Sequence, residues 1–192
     1  MLPGTFYYVH SGDGANHALQ GLWKTHDGGA TWTRVFTGEI APLSMYSAKL
    51  RVVPGHAGAM FFTSDVTGGD TTLRRSNDEG ATWSLVSGVT QVDDIAFGKA
   101  APGASWPTIF ISGRVGGTYG IWRSVDNAAT WHMVTPAPAG TLDQVTVIEG
   151  DKDVFGRVYI GYKGSGWRYG EPSACQPAAY SAGADQSCDA VK

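Results

Sequence analysis

Ser76-Asn77-Asp78-Glu79-Gly80-Ala81-Thr82-Trp83 decides the fold, because its pattern occurs twice more, as Thr25-His26-Asp27-Gly28-Gly29-Ala30-Thr31-Trp32 and as Ser124-Val125-Asp126-Asn127-Ala128-Ala129-Thr130-Trp131. The common form is Ser/Thr-x-Asp-x-Gly-x-Thr-Trp, with Ala128 standing where the other copies carry Gly29 and Gly80. Asp27 to Asp78 is 51 residues and Asp78 to Asp126 is 48. A period of about fifty is that of a four-stranded propeller blade and exceeds that of the shorter solenoid repeats. The local chemistry is that of a tight turn. The carboxylate accepts backbone N–H groups, the Ser or Thr hydroxyl adds a bond, Gly tolerates positive φ, and the Trp ring covers the turn. Asp27, Asp78 and Asp126 are each used identically inside their own repeat, so with Trp32, Trp83 and Trp131 they read as structural clips and not as three catalytic acids. Ala128 predicts a distorted or weaker third turn.

Working outward, each copy is preceded by a β-rich run: Phe6-Tyr7-Tyr8-Val9, Met60-Phe61-Phe62-Thr63 and Thr108-Ile109-Phe110-Ile111, with a fourth at Arg157-Val158-Tyr159-Ile160. These read as the second strands of successive blades. Leu50–Val53, Asp94–Phe97 and Val145–Ile148 read as innermost strands, and the fourth strand starts at the motif Trp, as in Trp83-Ser84-Leu85-Val86. The expected fold is therefore all-β, in blades of four antiparallel strands with the acidic turn between the outer two. No innermost strand precedes Phe6 and no outer strand follows Tyr169, which makes about three and a half blades with an uncovered edge at Phe6–Val9.

Composition agrees with this reading. Of 192 residues, 27 are Gly, and only 16% are charged, against about 25% in an average soluble domain. Seven Trp, eight Tyr and seven Phe fit short strands joined by tight turns. A net charge of −3 with scattered basic residues leaves no electrostatic footprint for nucleic acid or an anionic membrane. No run approaches the length of a membrane helix, and Met1–Thr5 carries no secretory signal. Five His without metal-ligand spacing predict no metal site, and no cofactor is expected. Cys175 and Cys188 are compatible with one disulfide and by themselves specify no compartment.

The repeated turn resembles the Asp-box, or bacterial neuraminidase repeat (BNR), of sialidases, sortilin-type receptors and the xyloglucanase-type enzymes of glycoside hydrolase family 74, at 25–32, 76–83 and 124–131. The ending Val154-Phe155-Gly156-Arg157-Val158-Tyr159-Ile160-Gly161-Tyr162-Lys163-Gly164-Ser165-Gly166-Trp167-Arg168-Tyr169-Gly170 resembles the closing strands of the second, C-terminal propeller of family 74. The resemblance covers residues 1–172 as a partial propeller and leaves 173–192 as a polar tail or linker. It implies part of a seven-bladed ring, within a secreted, extracellular hydrolase acting on xyloglucan or a related β-1,4-glucan. In that family the catalytic aspartates come one from each of two propellers, at positions outside this chain. The implied role is thus polysaccharide-binding surface without activity of its own, partnered by the missing N-terminal blades or a second propeller. The alternatives are a non-catalytic propeller that binds carbohydrate or protein, and an exo-sialidase. The latter needs an arginine triad and a Tyr nucleophile that this sequence does not assemble.

Ligand contacts are expected on the face opposite the acidic turns, from the loops Ser11–Gln20, Asp65–Asp70, Arg114–Thr118 and Lys163–Gly166, with Thr37–Ser47 and Thr135–Leu142 as inter-blade connectors. Asp65, in Asp65-Val66-Thr67-Gly68-Gly69, is similar to the Asp-Val-Gly-Gly context of a family-74 acid, but the inserted Thr67 breaks the match, so no catalytic residue is assigned. Trp106, Tyr119, Arg114 and Trp167 are the candidate substrate-binding residues, since sugar rings stack on exposed aromatic faces. Trp23, Trp122 and Trp167 share one apparent repeat position, as do Lys24, Arg75, Arg123 and Arg168, and such recurrence reads as packing.

Overall fold

The computed structural model describes residues 3–10, 17–37, 49–63, 72–136, 144–172 and 189–191. Apart from one 3-10 turn at His17–Leu19, the regular structure among these residues is β. Four antiparallel sheets follow one another along the chain, and each is a propeller blade. The first holds β1 (Phe6–His10), β2 (Gly21–Thr25) and β3 (Thr33–Phe36); the second holds β4 (Lys49–Val52), β5 (Met60–Thr63), β6 (Leu73–Ser76) and β7 (Ser84–Leu85). The third holds β8 (Val89–Gly98), β9 (Thr108–Val115), β10 (Thr118–Ser124) and β11 (His132–Pro136); the fourth holds β12 (Val145–Gly150), β13 (Val158–Tyr162), β14 (Gly166–Pro172) and β15 (Asp189–Val191). Every neighbouring pair is consecutive in sequence, the order that short hairpin connections impose.

The first sheet has three strands and begins at the edge strand β1, as expected. Two details differ from the sequence reading. The fourth strand of the second sheet is only two residues long, and the last sheet gains a three-residue outer strand from the tail, Asp189–Val191 paired with Gly170–Pro172. Periodicity does not register a strand this short. Its pairing with an existing edge makes it one.

The chain forms two compact units, Met1–Leu85 and Val86–Lys192. In the first, Leu22, Met60 and Phe62 form a buried cluster between the first and second sheets, with Tyr7, Val9, Phe36, Leu50, Val52 and Trp83 packed against it. Trp83 meets Phe36 and Phe62 edge-on, with ring centroids 6.5 and 6.1 Å apart. Lys24 on the first sheet pairs with Glu79 on the second, and His26 Nε2 lies 3.5 Å from the same carboxylate. In the second unit, Ala96, Phe110, Ile121 and Val134 of the third sheet pack on Val145, Ile148, Val158, Ile160 and Tyr162 of the fourth. Asp94, buried at the centre, accepts from Ile95 N and from Ile148 N across the two sheets, both at 2.9 Å.

The ladder register sets which residues are equivalent. The hydroxyl residues Thr25, Ser76 and Ser124 pair with Phe6, Met60 and Ile109. Three positions earlier stand Leu22, Leu73 and Ile121, each fully buried at 0% exposure. In the fourth sheet Gly161 pairs with Trp167 and Tyr159 with Tyr169, while Val158 and Ile160 face the core. That register puts Trp167 at the level of Leu22, Leu73 and Ile121, and Arg168 at the level of Trp23, Arg74 and Trp122. Linear alignment matches Trp167 with Trp23 and Trp122, and Arg168 with Lys24, and the ladder corrects both by one position. The fourth sheet lacks the acidic motif, so only the backbone pairing fixes its frame.

Candidate functional site

The acidic turns join β2 to β3, β6 to β7 and β10 to β11, and their geometry repeats. Asp27 Oδ1 accepts from Thr25 Oγ1 (2.7 Å) and Thr31 N (2.9 Å), and Oδ2 from Thr31 Oγ1 (2.6 Å). Asp78 receives Ser76 Oγ, Thr82 N and Thr82 Oγ1 at 2.8, 2.9 and 2.6 Å. Asp126 receives Ser124 Oγ, Thr130 N and Thr130 Oγ1 at 2.8, 2.9 and 2.5 Å. Bonds to the ionised form favour it. Those from the Thr82 side chain and backbone and from Ser76 hold Asp78 at about 2, and the bonds from Thr31 and Thr25 hold Asp27 lower still. At Asp126 burial works against ionisation, yet the Thr130, Ser124 and Ala129 bonds keep its pKa below the ordinary value. The three carboxylates belong to the turns of three separate sheets, and each is bonded by groups of its own turn. The distortion expected of the third turn is absent: Ala128 takes φ +64° and keeps its bond to Ser124 Oγ at 2.9 Å, so the turn's hydrogen bonds hold a backbone that Gly would adopt at less cost. The Trp roles diverge. Trp32 Nε1 donates to Gly29 O at 3.1 Å, covering its turn, whereas Trp83 lies in the sheet-to-sheet core.

At the other end of the third sheet a polar cluster surrounds Tyr119. Val115-Gly116-Gly117-Thr118 is a two-residue hairpin in which both glycines have positive φ, 57° and 84°, the conformation that matches strand twist. It sets Arg114 and Tyr119 opposite each other across the ladder, with the guanidinium 5.6 Å from the ring centroid and donating to Gly117 O at 3.1 Å. The Tyr119 hydroxyl donates to Asp93 Oδ2, and Gln91 Nε2 donates to Asp93 Oδ1 at 2.8 Å. Asp93 is buried beside the ring because β8 bulges there: the register jumps between Val92 and Asp94, which sends Asp93 and Asp94 to different partners. Asp93 thus holds Tyr119 through one oxygen while Gln91 anchors the other, an arrangement that presents a fixed aromatic plane flanked by a cation. Gln91 and Asp93 were missed from sequence. The signal was two adjacent carboxylates inside an apolar strand.

The remaining candidates are dispersed. Trp106 lies in the connection from β8 to β9, and since connections alternate ends in an antiparallel sheet, it is at the acidic-turn end of the third sheet, away from Tyr119. Trp167, the second residue of β14, is 69% exposed and stacks on Tyr169 with centroids 6.5 Å apart at 30°. Asp65 falls outside the described residues, as do the whole Asp65–Asp70 loop and residues 11–16 of the Ser11–Gln20 loop. Among the described residues no three His, Cys, Asp or Glu side chains gather as metal ligands, and no helix is long and apolar enough to cross a membrane. Two hollows stand out in the first unit. One, between Tyr7, Val52, His56 and Glu79, holds about 20 Å³, room for a water; the other, on the outer face of the first sheet, is an open groove of about 340 Å³ lined by Tyr8, His10, Leu19, Trp23 and Trp32.

No family model matches the chain. In sequence it is similar to a xyloglucanase from a Paenibacillus species, 38% identical over 127 residues, which is 66% of this chain and 12% of that protein. In structure it is similar to a GH74 enzyme from Niastella koreensis, with a TM-score of 0.67 and 25% identity over 87% of this chain and 23% of the other. It is also similar to the GH74 xyloglucanase from Xanthomonas campestris, with a TM-score of 0.69 and 24% identity over 90% of this chain and 23% of the other. The chain spans about an eighth of the curated relative and under a quarter of the solved structures.

Proposed function

We propose that this chain, a GH74-like propeller portion, is the C-terminal propeller part of a secreted glycoside hydrolase acting on xyloglucan or a related β-1,4-glucan, and that it supplies polysaccharide-binding surface without a catalytic pair of its own. The similarity to a xyloglucanase carries the substrate class. Within that reading the acidic turns are Asp-boxes that clip the outer strands, and the partial propeller comprises residues 1–172 together with the outer strand Asp189–Val191 that the tail returns to its last sheet. Tyr119 is the sugar platform and Arg114 its polar flank: the ring is held by Asp93 and lies half-exposed at the loop end of the third sheet. An apolar sugar face stacks on the ring while the guanidinium donates to hydroxyls.

Glycoside hydrolysis normally needs two carboxyl groups about 5–10 Å apart across the scissile bond. Asp93, bonded through both oxygens to Tyr119 and Gln91, is committed to positioning. The test is affinity electrophoresis in gels containing xyloglucan. The chain should be retarded, and Tyr119→Ala or Arg114→Ala should migrate faster in the polysaccharide gel while unchanged in a blank gel. Equal retardation of all three proteins would move the binding surface elsewhere, and release of reducing ends by the purified chain would refute the absence of a catalytic pair.

A further inference from the structure

The hydroxyl of Tyr119 is committed before any ligand arrives. It donates to Asp93 Oδ2, while Gln91 Nε2 donates to Asp93 Oδ1 at 2.8 Å, so the carboxylate is engaged through both oxygens. Strand β8 is built to bring it there. Val92 pairs with Gly113 and Asp94 with Ser112, which leaves Asp93 as the extra residue of a bulge, 8% exposed beside the ring. Gly113 makes room for that path: a Cβ at this position would collide with Gln91 O and lie 2.9 Å from Gln91 C. Any side chain at 113 would push β8 away and move Gln91 with it. A buried carboxylate is costly unless it is hydrogen-bonded, and here Tyr119 and Gln91 supply bonds.

That commitment fixes what the platform offers. A phenol has one proton, and with that proton on Asp93 its oxygen meets any further group as an acceptor. Arg114 is the reverse, a side chain of donors without an acceptor. Its guanidinium lies 5.6 Å from the Tyr119 ring centroid, held by a bond to Gly117 O at 3.1 Å. The ring is thus flanked by one acceptor and one group of donors. Taking Tyr119 as the sugar platform proposed above, on which this rests, we infer that Asp93 and Gln91 set the polarity with which it reads a glycan: a sugar hydroxyl donates to Tyr119 Oη while a neighbouring hydroxyl oxygen accepts from Arg114. The site takes a glycan edge bearing unsubstituted hydroxyls and discriminates against one whose hydroxyls are etherified, because an ether oxygen has no proton to give. Asp93 and Gln91 touch no sugar in this scheme; they are positioning residues that act through Tyr119.

The test is affinity electrophoresis of the full chain in gels containing xyloglucan or O-methylated xyloglucan, with far-ultraviolet circular dichroism verifying the fold of each variant. The wild type should bind xyloglucan about three- to tenfold more tightly than the methylated polymer, the worth of one hydrogen bond. Tyr119→Phe, which removes the acceptor and keeps the ring, should bind the two polymers alike. Asp93→Asn should keep the wild-type preference, because its amide oxygen still accepts from the phenol and the Gln91 amide can turn its oxygen to the new N–H. Asp93→Ala releases the phenol proton to meet ether oxygens and should lose the preference. Tyr119→Phe deletes a single oxygen, so the comparison stands even where Asp93→Ala fails to fold. Equal retardation of wild type and Tyr119→Ala in xyloglucan would overturn the platform reading and this inference with it. Weaker binding by Tyr119→Ala, together with the same polymer preference in wild type and Tyr119→Phe, would overturn the polarity alone. So would a folded Asp93→Asn variant that has lost the preference.

Discussion

Gly80→Ala tests the packing between the first two sheets at its tightest point. Gly80 has φ +86°, and a Cβ there would lie 2.1 Å from Leu22 Cδ2 and 3.3 Å from Met60 Sδ. Two costs add. A left-handed backbone costs an L-residue about 1–2 kcal/mol, and forcing a methyl into a filled core costs about 1–3 kcal/mol, so the variant should lose roughly 2–5 kcal/mol. Leu22→Ala, which empties the facing position, should by itself lose about 2–5 kcal/mol through burial and cavity terms. The double variant separates the two costs. The methyl at position 80 then occupies space left by Leu22, the steric part vanishes and the backbone part stays, so the pair should cost less than the sum by about 1–3 kcal/mol. Urea denaturation followed by tryptophan fluorescence reads all four corners of the cycle. A Gly80→Ala loss under about 1 kcal/mol, or a cycle additive within about 0.5 kcal/mol, would refute the reasoning.

Two further outcomes follow from the carboxylates. Asp78 titrates near 2 in the folded chain against an ordinary 3.8, and Asp27 and Asp126 are also lowered; because the folded pKa lies below the unfolded one, this stabilisation is complete above about pH 4 and is lost as pH falls toward 2. The urea midpoint should drop across that window, and less steeply in Asp78→Asn; parallel profiles would sink the assignment. Asp94→Ala should lose roughly 2–5 kcal/mol, since it strands the buried N–H groups of Ile95 and Ile148. A loss under about 1 kcal/mol in the same assay would show that other acceptors replace the carboxylate.

Much of the fold is legible before any coordinates. The motif from Ser76 to Trp83 and its two relatives are local devices: each turn satisfies its own carboxylate with groups two to four residues away, so the spacing in the chain already contains the geometry. The short runs of aromatic and β-branched residues locate β5, β9 and β13 for the same reason, because such a run bounded by turn residues requires nothing beyond the strand itself. The two-residue turn at Gly116-Gly117 is equally local.

Whatever depends on pairing between distant residues had to wait for the tertiary structure. The bulge that turns Asp93 toward Tyr119 is a property of the β8–β9 register, and an apolar run with two acids in it does not say which acid faces which side. Trp106 and Tyr119 are both loop-proximal aromatics in sequence, yet the alternation of connections sends them to opposite ends of one sheet. Trp167 looks like a companion of Trp23 and Trp122 until Gly161↔Trp167 pairing aligns it with Leu22 and Ile121. One residue of register changes the face of every side chain on a strand, and in the fourth sheet, without the acidic turn to mark the frame, only the hydrogen-bonded ladder decides which face a tryptophan occupies.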